Sequence, residues 1–378
     1  MGRPRGGAAP SLSKNGGRVS SALVDHSSRW ERLASRLPEL GVDAFLVTKL
    51  PNVRYLCGFT GSNGQLLLTE SGGVFLTDGR YVEQARHEVP DLGRASYAGE
   101  MPPKLAEACR ELGVGRMAFE ATHLTFDLYS RVTATGLELV PAADEVERLR
   151  RVKDPEERAL LESAQAITDE SFESITGKLV EGVTERSVAL DLDTAMRARG
   201  AEASAFETVV AFGENAAEPH HRPAERPLGR GDVVKIDFGC VVGGYHSDMT
   251  RTIAFGDPPA KLREVHSIVR RAQEAGVQAV RPGTPCQEVD RITREIIREA
   301  GYGEQYVHSV GHGVGLEIHE GPWLRPGNEE ALPEGAVVTV EPGIYLEGLG
   351  GVRIEDMVEV RPSGPHVLPR TGKELIVL

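Results

Sequence analysis

The spacing of apolar positions changes several times along the chain, and each change marks an element. Between Ser28 and Pro141, helix-period stretches (Arg29 to Leu40, Tyr81 to Val89, Lys104 to Leu112) alternate with short apolar runs (Ala44 to Val47, Gln65 to Leu68, Val74 to Leu76, Arg116 to Phe119). That alternation predicts an α/β layer domain over residues 28–141, followed by a linker over 142–153. Asp154-Pro155-Glu156-Glu157 then supplies an N-cap, a proline at the first helical position and a capping-box acid three residues after the cap. A long helix is expected from there to about Leu179, opening a second domain over 154–378. Within it, Gly182 to Gly200 and Gly283 to Gly301 have equal length, with matched valines (Val188, Val289) and arginines (Arg197, Arg298). The repeat suggests two related αβ halves.

From Val233 onward the pattern is that of a hairpin: an apolar run to Phe238, then Gly243-Gly244, then Tyr245 to Thr250. If the two glycines form the tight turn that positive φ permits, Asp237 faces Thr250 and Asp248 is its diagonal neighbour on the same face. An unpaired anion in an apolar strand is costly to bury, so it needs a cation, a donor cluster or solvent, and a metal would supply the cation. Two further acids sit in strand-like segments, Glu341 in Val337 to Gly343 and Glu355 in Val352 to Val358, and period-two alternation puts Arg353 on the face of Glu355. His312, in His308-Ser309-Val310-Gly311-His312-Gly313, adds an imidazole. Taken singly, each of these reads more readily as a strand-end carboxylate or a hydrogen-bonded loop histidine. As a set they read as a metal centre. Oxygen-dominated ligation favours Mn, then Co, Fe or Zn, and four anions match two divalent ions roughly 3.5–4 Å apart that share a hydroxide nucleophile.

In order along the chain, IDFG, GYHSDMTRT, HSVGHGVGLEIHE, VEPGIY and VRIED resemble the motif series of the pita-bread metallopeptidases. The resemblance is to the proline-directed branch that contains aminopeptidase P and Xaa-Pro dipeptidase (prolidase). It implies that Asp237 and Asp248 hold one metal, that His312 and Glu341 hold the other, and that Asp248 and Glu355 bridge. It also implies substrate and proton-transfer roles for His220, His308 and His319, with His221 a competitor for the place of His220. The fold implied is an N-terminal α/β domain, for which NVRYL, GFTGS and TDGRY carry the resemblance, followed by a pita-bread domain of two pseudo-symmetric αβ halves. The reaction implied is attack of a bridging hydroxide on the Xaa-Pro carbonyl, with Glu341 moving its proton and His319 or His220 stabilising the oxyanion. Arg353 has two readings, a clamp on a substrate carboxylate or a partner of Asp237, and its shared face with Glu355 favours the second. Short peptides with proline second are the implied substrates, and a homodimer the implied assembly.

Composition narrows the alternatives. The 378 residues carry 43 basic and 56 acidic side chains, net −13, which argues against a nucleic-acid or anionic-membrane surface. Cys57, Cys109, Cys240 and Cys286 form no CxxC pair, as expected of reduced thiols in the cytoplasm. Residues 1–27, rich in Gly, Pro, Ser and basic residues, are expected to be disordered. They lack the apolar stretch of roughly 7–15 residues of a secretory signal, and the chain has no apolar run of about 20 to span a membrane. A methionine aminopeptidase shares the ligands but not the extra domain, and a creatinase shares the layout but not the ligands. A non-enzymatic peptide- or protein-binding module on the same fold is the remaining alternative, and such relatives typically lose ligands.

Overall fold

The structure is a computed structural model that describes residues 26–378. Of the expected disordered extension, residues 1–27, all but the last two lie outside the described residues, and Ser27 already opens a helix. The expected helix from Arg29 to Leu40 is two helices, Ser27–Ala34 and Leu37–Leu40. Pro38 explains the break, because it has no N–H to offer the carbonyl four residues back and its ring would clash there.

The first domain is built on a six-stranded mixed sheet in the order Gly93–Tyr97, Gly72–Asp78, Gln65–Thr69, Ala44–Val47, Arg116–Glu120, Glu138–Ala142. Ala44–Val47 is apolar at every position because it lies inside the sheet and is covered on both faces. Ala44 and Leu46 pack with Leu105 and Cys109 of the helix Met101–Leu112, while Phe45 and Val47 pack on the other side with Leu33, Val53 and Leu56. That second cluster continues through Leu161, Tyr245, Val314, Leu316 and Met357 of the second domain, so one apolar core joins the two. The expected linker carries a helix, Glu145–Arg150, with Val146 and Arg150 buried.

The capping box at Asp154 forms as the sequence predicts: Asp154 Oδ1 accepts from the Glu157 amide and Glu157 Oε2 from the Asp154 amide, each at 2.9 Å. The helix that follows runs Pro155–Thr176. Each half of the second domain pairs two helices with an antiparallel sheet. The first pairs Pro155–Thr176 and Glu185–Ala198 with the strands Val209–Phe212, Val233–Phe238 and Met249–Ala254. The second pairs Ala260–Ala279 and Cys286–Glu299 with a five-stranded sheet running from Glu320–Leu324 through Gly311–Gly313, Val337–Val340 and Asp356–Glu359 to His366–Val367. The repeat seen in the sequence has a structural counterpart. Gly182 and Gly283, both at positive φ, donate their amides to the carbonyls of Leu228 and Leu332 at 2.9 Å, and those leucines return amides to Val183 and Thr284. All four cysteines are buried and free. Among the described residues, no helix is long and apolar enough to cross a membrane.

Candidate metal centre

The hairpin registers as the glycine pair dictates. Gly243 and Gly244 take φ of 57° and 82°, the left-handed pair that a two-residue turn of this twist requires, and Val242 faces Tyr245. The same register carries down the ladder to Asp237 opposite Thr250. Between the two paired stretches, Gly239 lies so close to the Ser247 carbonyl that a Cβ would stand 1.8 Å from its oxygen. Asp248 follows at the head of the strand Met249–Ala254. The other two acids stand just outside strand ends rather than within them. Glu341 follows Val337–Val340 and ties its amide to the Val310 carbonyl at 2.8 Å. Glu355 lies between Gly350–Arg353 and Asp356–Glu359, with its amide on the Thr250 carbonyl at 3.1 Å.

These elements bring the acids to one imidazole. His312 Nδ1 lies 3.0 Å from the Gly313 carbonyl, so the proton resides there and the lone pair of Nε2 points into the cluster. Nε2 stands 3.4 Å from Glu341 Oε1 and 3.7 Å from Asp248 Oδ2. One ligand atom each of Asp248, His312 and Glu355 falls within 4.8 Å of the others. Asp237 Oδ1 is buried with no hydrogen-bond partner, although its other oxygen pairs with Arg353. Burial pushes the Asp248 carboxyl well above its usual range, and the neighbouring charge of Glu355 pushes further. Glu355 is raised in the same way by burial and by Glu341, and burial raises Glu341 to about 8. Lone pairs facing lone pairs, an orphaned buried oxygen and crowded carboxylates are what a cation relieves, so these residues fit divalent metal.

Behind the cluster, Arg353 acts as a hub. It pairs with Asp237, donates from Nε to Thr250 Oγ1 at 3.1 Å, and donates from Nη1 to Tyr345 Oη at 2.9 Å and to the Pro219 carbonyl at 3.0 Å. Thr250 Oγ1 passes its own hydrogen to Glu355 Oε2 at 2.7 Å. Arg353 and Glu355 therefore meet at Thr250 although the strand expected to carry both is broken at Ile354.

The histidines separate clearly. His221 is buried, with Nδ1 2.6 Å from Glu218 and Nε2 2.9 Å from Glu185, whereas His220 is exposed, within electrostatic reach of His308 and His319. His308 Nδ1 donates to the Ser309 carbonyl and Nε2 accepts from Tyr345 Oη at 2.9 Å. The His319 ring stands edge-on to His312 with centroids 4.4 Å apart. Burial lowers both His308 and His319 to about 4, with the Arg353 charge adding to the effect at His308, which keeps them neutral near pH 7. Tyr345 was missed in the sequence: it lies in the VEPGIY segment, but nothing in its spacing reveals that its hydroxyl joins Arg353 to His308. A second group of potential ligands, Glu162, Glu359 and His366, is occupied by arginine, with Arg361 2.5 Å from Glu359 and Arg158 3.5 Å from it.

A carboxylate-rich cluster with one imidazole, set between the two halves of a pita-bread domain, defines a metallopeptidase of the two-domain type. Residues 159–362 match the model of metallopeptidase family M24, and residues 29–152 match that of the creatinase/prolidase N-terminal domain. The chain belongs to metallopeptidase family M24. It is 39% identical to an uncharacterized peptidase of Bacillus subtilis over 92% of this chain and 99% of that one. Among solved structures it resembles an Xaa-Pro dipeptidase from Bacillus anthracis (41% identity, TM-score 0.91, 94% of this chain and all of that one). It also resembles an X-Pro aminopeptidase from Thermotoga maritima (37% identity, TM-score 0.85, 91% and 100% covered).

Proposed function

We propose that the protein hydrolyses the bond between an amino-terminal residue and proline, in dipeptides or at the start of longer peptides, with two divalent ions, Mn first among them, held by Asp237, Asp248, His312, Glu341 and Glu355. The observation that carries this reading is the convergence of Asp248, Glu341 and Glu355 on the unprotonated nitrogen of His312, with a buried, unpartnered oxygen on Asp237, in a member of a metallopeptidase family whose solved neighbours include enzymes named for Xaa-Pro substrates. Asp237 and Asp248 would hold one ion, His312 and Glu341 the other, with Asp248 and Glu355 shared. Bound metal supplies Lewis acidity and a nucleophilic water near neutral pH.

The side chains divide the remaining work. Glu341 takes the proton released as water adds to the scissile carbonyl, and returns it to the departing proline nitrogen. His319, whose ring stands edge-on to His312, or His220 donates to the carbonyl oxygen as it gains negative charge. Arg353 fixes Asp237 and, through Thr250, Glu355, so the carboxylates need not reorganise during the reaction. His308 is held by Tyr345 on the substrate side. A dedicated site is needed because the proline nitrogen bears no hydrogen and its ring fixes φ, which removes the extended backbone pairing that other peptidases use.

The test is hydrolysis of Ala-Pro, Ala-Pro-Ala and Ala-Ala by metal-stripped protein titrated with Mn. Metal-dependent cleavage of either proline peptide, with Ala-Ala spared, is expected. Preference for the dipeptide would make it a dipeptidase, and preference for the tripeptide an aminopeptidase. Cleavage of neither would overturn the proline assignment and favour a binding role for the fold.

A further inference from the structure

Outside the carboxylate cluster, a network of buried charge lies where the first domain meets the loop that carries His319. The strands Gly311–Gly313 and Glu320–Leu324 pair as a hairpin whose loop spans residues 314–319. Glu317 in that loop and Glu320 at the head of the strand after it are both gripped from outside the hairpin. Arg150, 2% exposed, reaches Glu317 Oε2 at 2.9 Å with Nη1 and pairs with Glu320 through Nη2. Lys153, fully buried, reaches Glu320 Oε1 at 2.9 Å, and Lys49 of the first domain reaches Glu317 Oε2 at 2.7 Å.

The grip is itself braced. Arg150 Nη1 donates to Asn52 Oδ1 at 2.6 Å, and the Asn52 amide donates to Glu120 at 2.7 Å and to Glu147 at 2.9 Å. Glu320 accepts the amide of Glu317 at 3.3 Å, which closes the loop on itself. Its carboxylate also fills the place of a side chain at Gly315, where a Cβ would stand 2.4 Å from Oε1. Desolvating this many charges returns little net stability compared with an apolar packing of the same volume. What the network secures is a single geometry for the loop.

We propose that Arg150, Lys153 and Lys49 are positioning residues that lock Glu317 and Glu320 about His319 and thereby hold its ring edge-on to His312. This rests on the reading of His319 as a donor to the carbonyl oxygen. The first domain, through Lys49, and the linker, through Arg150 and Lys153, contribute none of the assigned site residues and thus take part in catalysis by splinting one of them.

The test compares Glu317→Gln, whose side chain is 27% exposed, and Arg150→Lys, which keeps the charge but loses the two-pronged reach. Each is made in the full chain, in the wild-type and His319→Ala backgrounds, and kcat and KM are measured on Ala-Pro with saturating Mn. In the wild-type background kcat should fall about fivefold or more with KM changed less than about twofold, and in the His319→Ala background neither variant should lower kcat further. Equal losses in both backgrounds, or no loss in either, would overturn the proposal. If His319→Ala alone leaves kcat intact, or if Ala-Pro is not cleaved, the reading of the site has failed rather than the splint. Crystal structures of the two metal-free variants then judge the splint: a His319 ring displaced from His312 upholds it, and a ring left in place overturns it.

Discussion

Stripped of metal, the carboxylate cluster must take up protons, and Glu341 gives the effect a size. Burial raises its carboxyl to about 8, against an ordinary value of 4.5. Between those limits the folded, metal-free protein holds a proton that the unfolded chain has released. The associated stability is complete below about pH 4.5 and is lost as the pH climbs through 8. At about 1.4 kcal/mol per pH unit, the window is worth about 5 kcal/mol from this one group, as much as the whole margin of a weakly stable domain. Asp248 and Glu355 are raised in the same direction, so the total is larger. Urea denaturation of metal-stripped protein between about pH 5.5 and 8.5 should show stability falling steeply with pH. Glu341→Gln should flatten that slope by up to about 1.4 kcal/mol per pH unit. Saturating Mn should abolish it, because metal binds the deprotonated ligands. Identical slopes for wild type and Glu341→Gln would refute the reasoning, since Glu341 would then not be a group that titrates in this window.

Arg353→Met should weaken Mn binding by about 10- to 100-fold in calorimetric titration, because Asp237 loses its partner and Thr250 one of its donors; unchanged affinity would remove Arg353 from the support of the site. Gly239→Ala drives a Cβ into the Ser247 carbonyl between Asp237 and Asp248, and should cost about 1–3 kcal/mol in denaturant titration along with a loss of metal affinity. His266 is buried with Nε2 unpartnered, and burial, helped by Arg270, lowers it to about 4. The unfolded chain takes up that proton first as the pH falls from about 6.5 to 4, so acid should remove up to about 3 kcal/mol of stability, and His266→Leu should lose this dependence. A variant as acid-sensitive as wild type would contradict it.

Much of the site was legible because its signals are local. Two adjacent glycines fix a hairpin register, and the register alone sets Asp237 opposite Thr250. A proline and two acids after Asp154 announce a helix start that the structure reproduces bond for bond. That His221 turns inward to Glu185, far off in sequence, while His220 stays exposed was not legible, because neither residue's local pattern points to that partner. The edge strand Gly93–Tyr97 escaped notice because it is largely polar and pairs on one side only, so it carries no apolar run. The grip of Arg150 and Lys153 on Glu320 joins residues some 170 positions apart, and neither end has a pattern that foretells the other. Local chemistry fixed the ladder and the turn, and long-range ion pairs settled which side chains stand around it.

The measurement that bears most directly on the account is the metal content of the protein after equilibrium dialysis against Mn, determined by mass spectrometry for wild type, Asp248→Asn and Glu355→Gln. The account predicts about two ions per chain in wild type and fewer than about one in either variant, because both residues are assigned to both ions. A wild-type chain that retains none, or variants that retain as much as wild type, would contradict it.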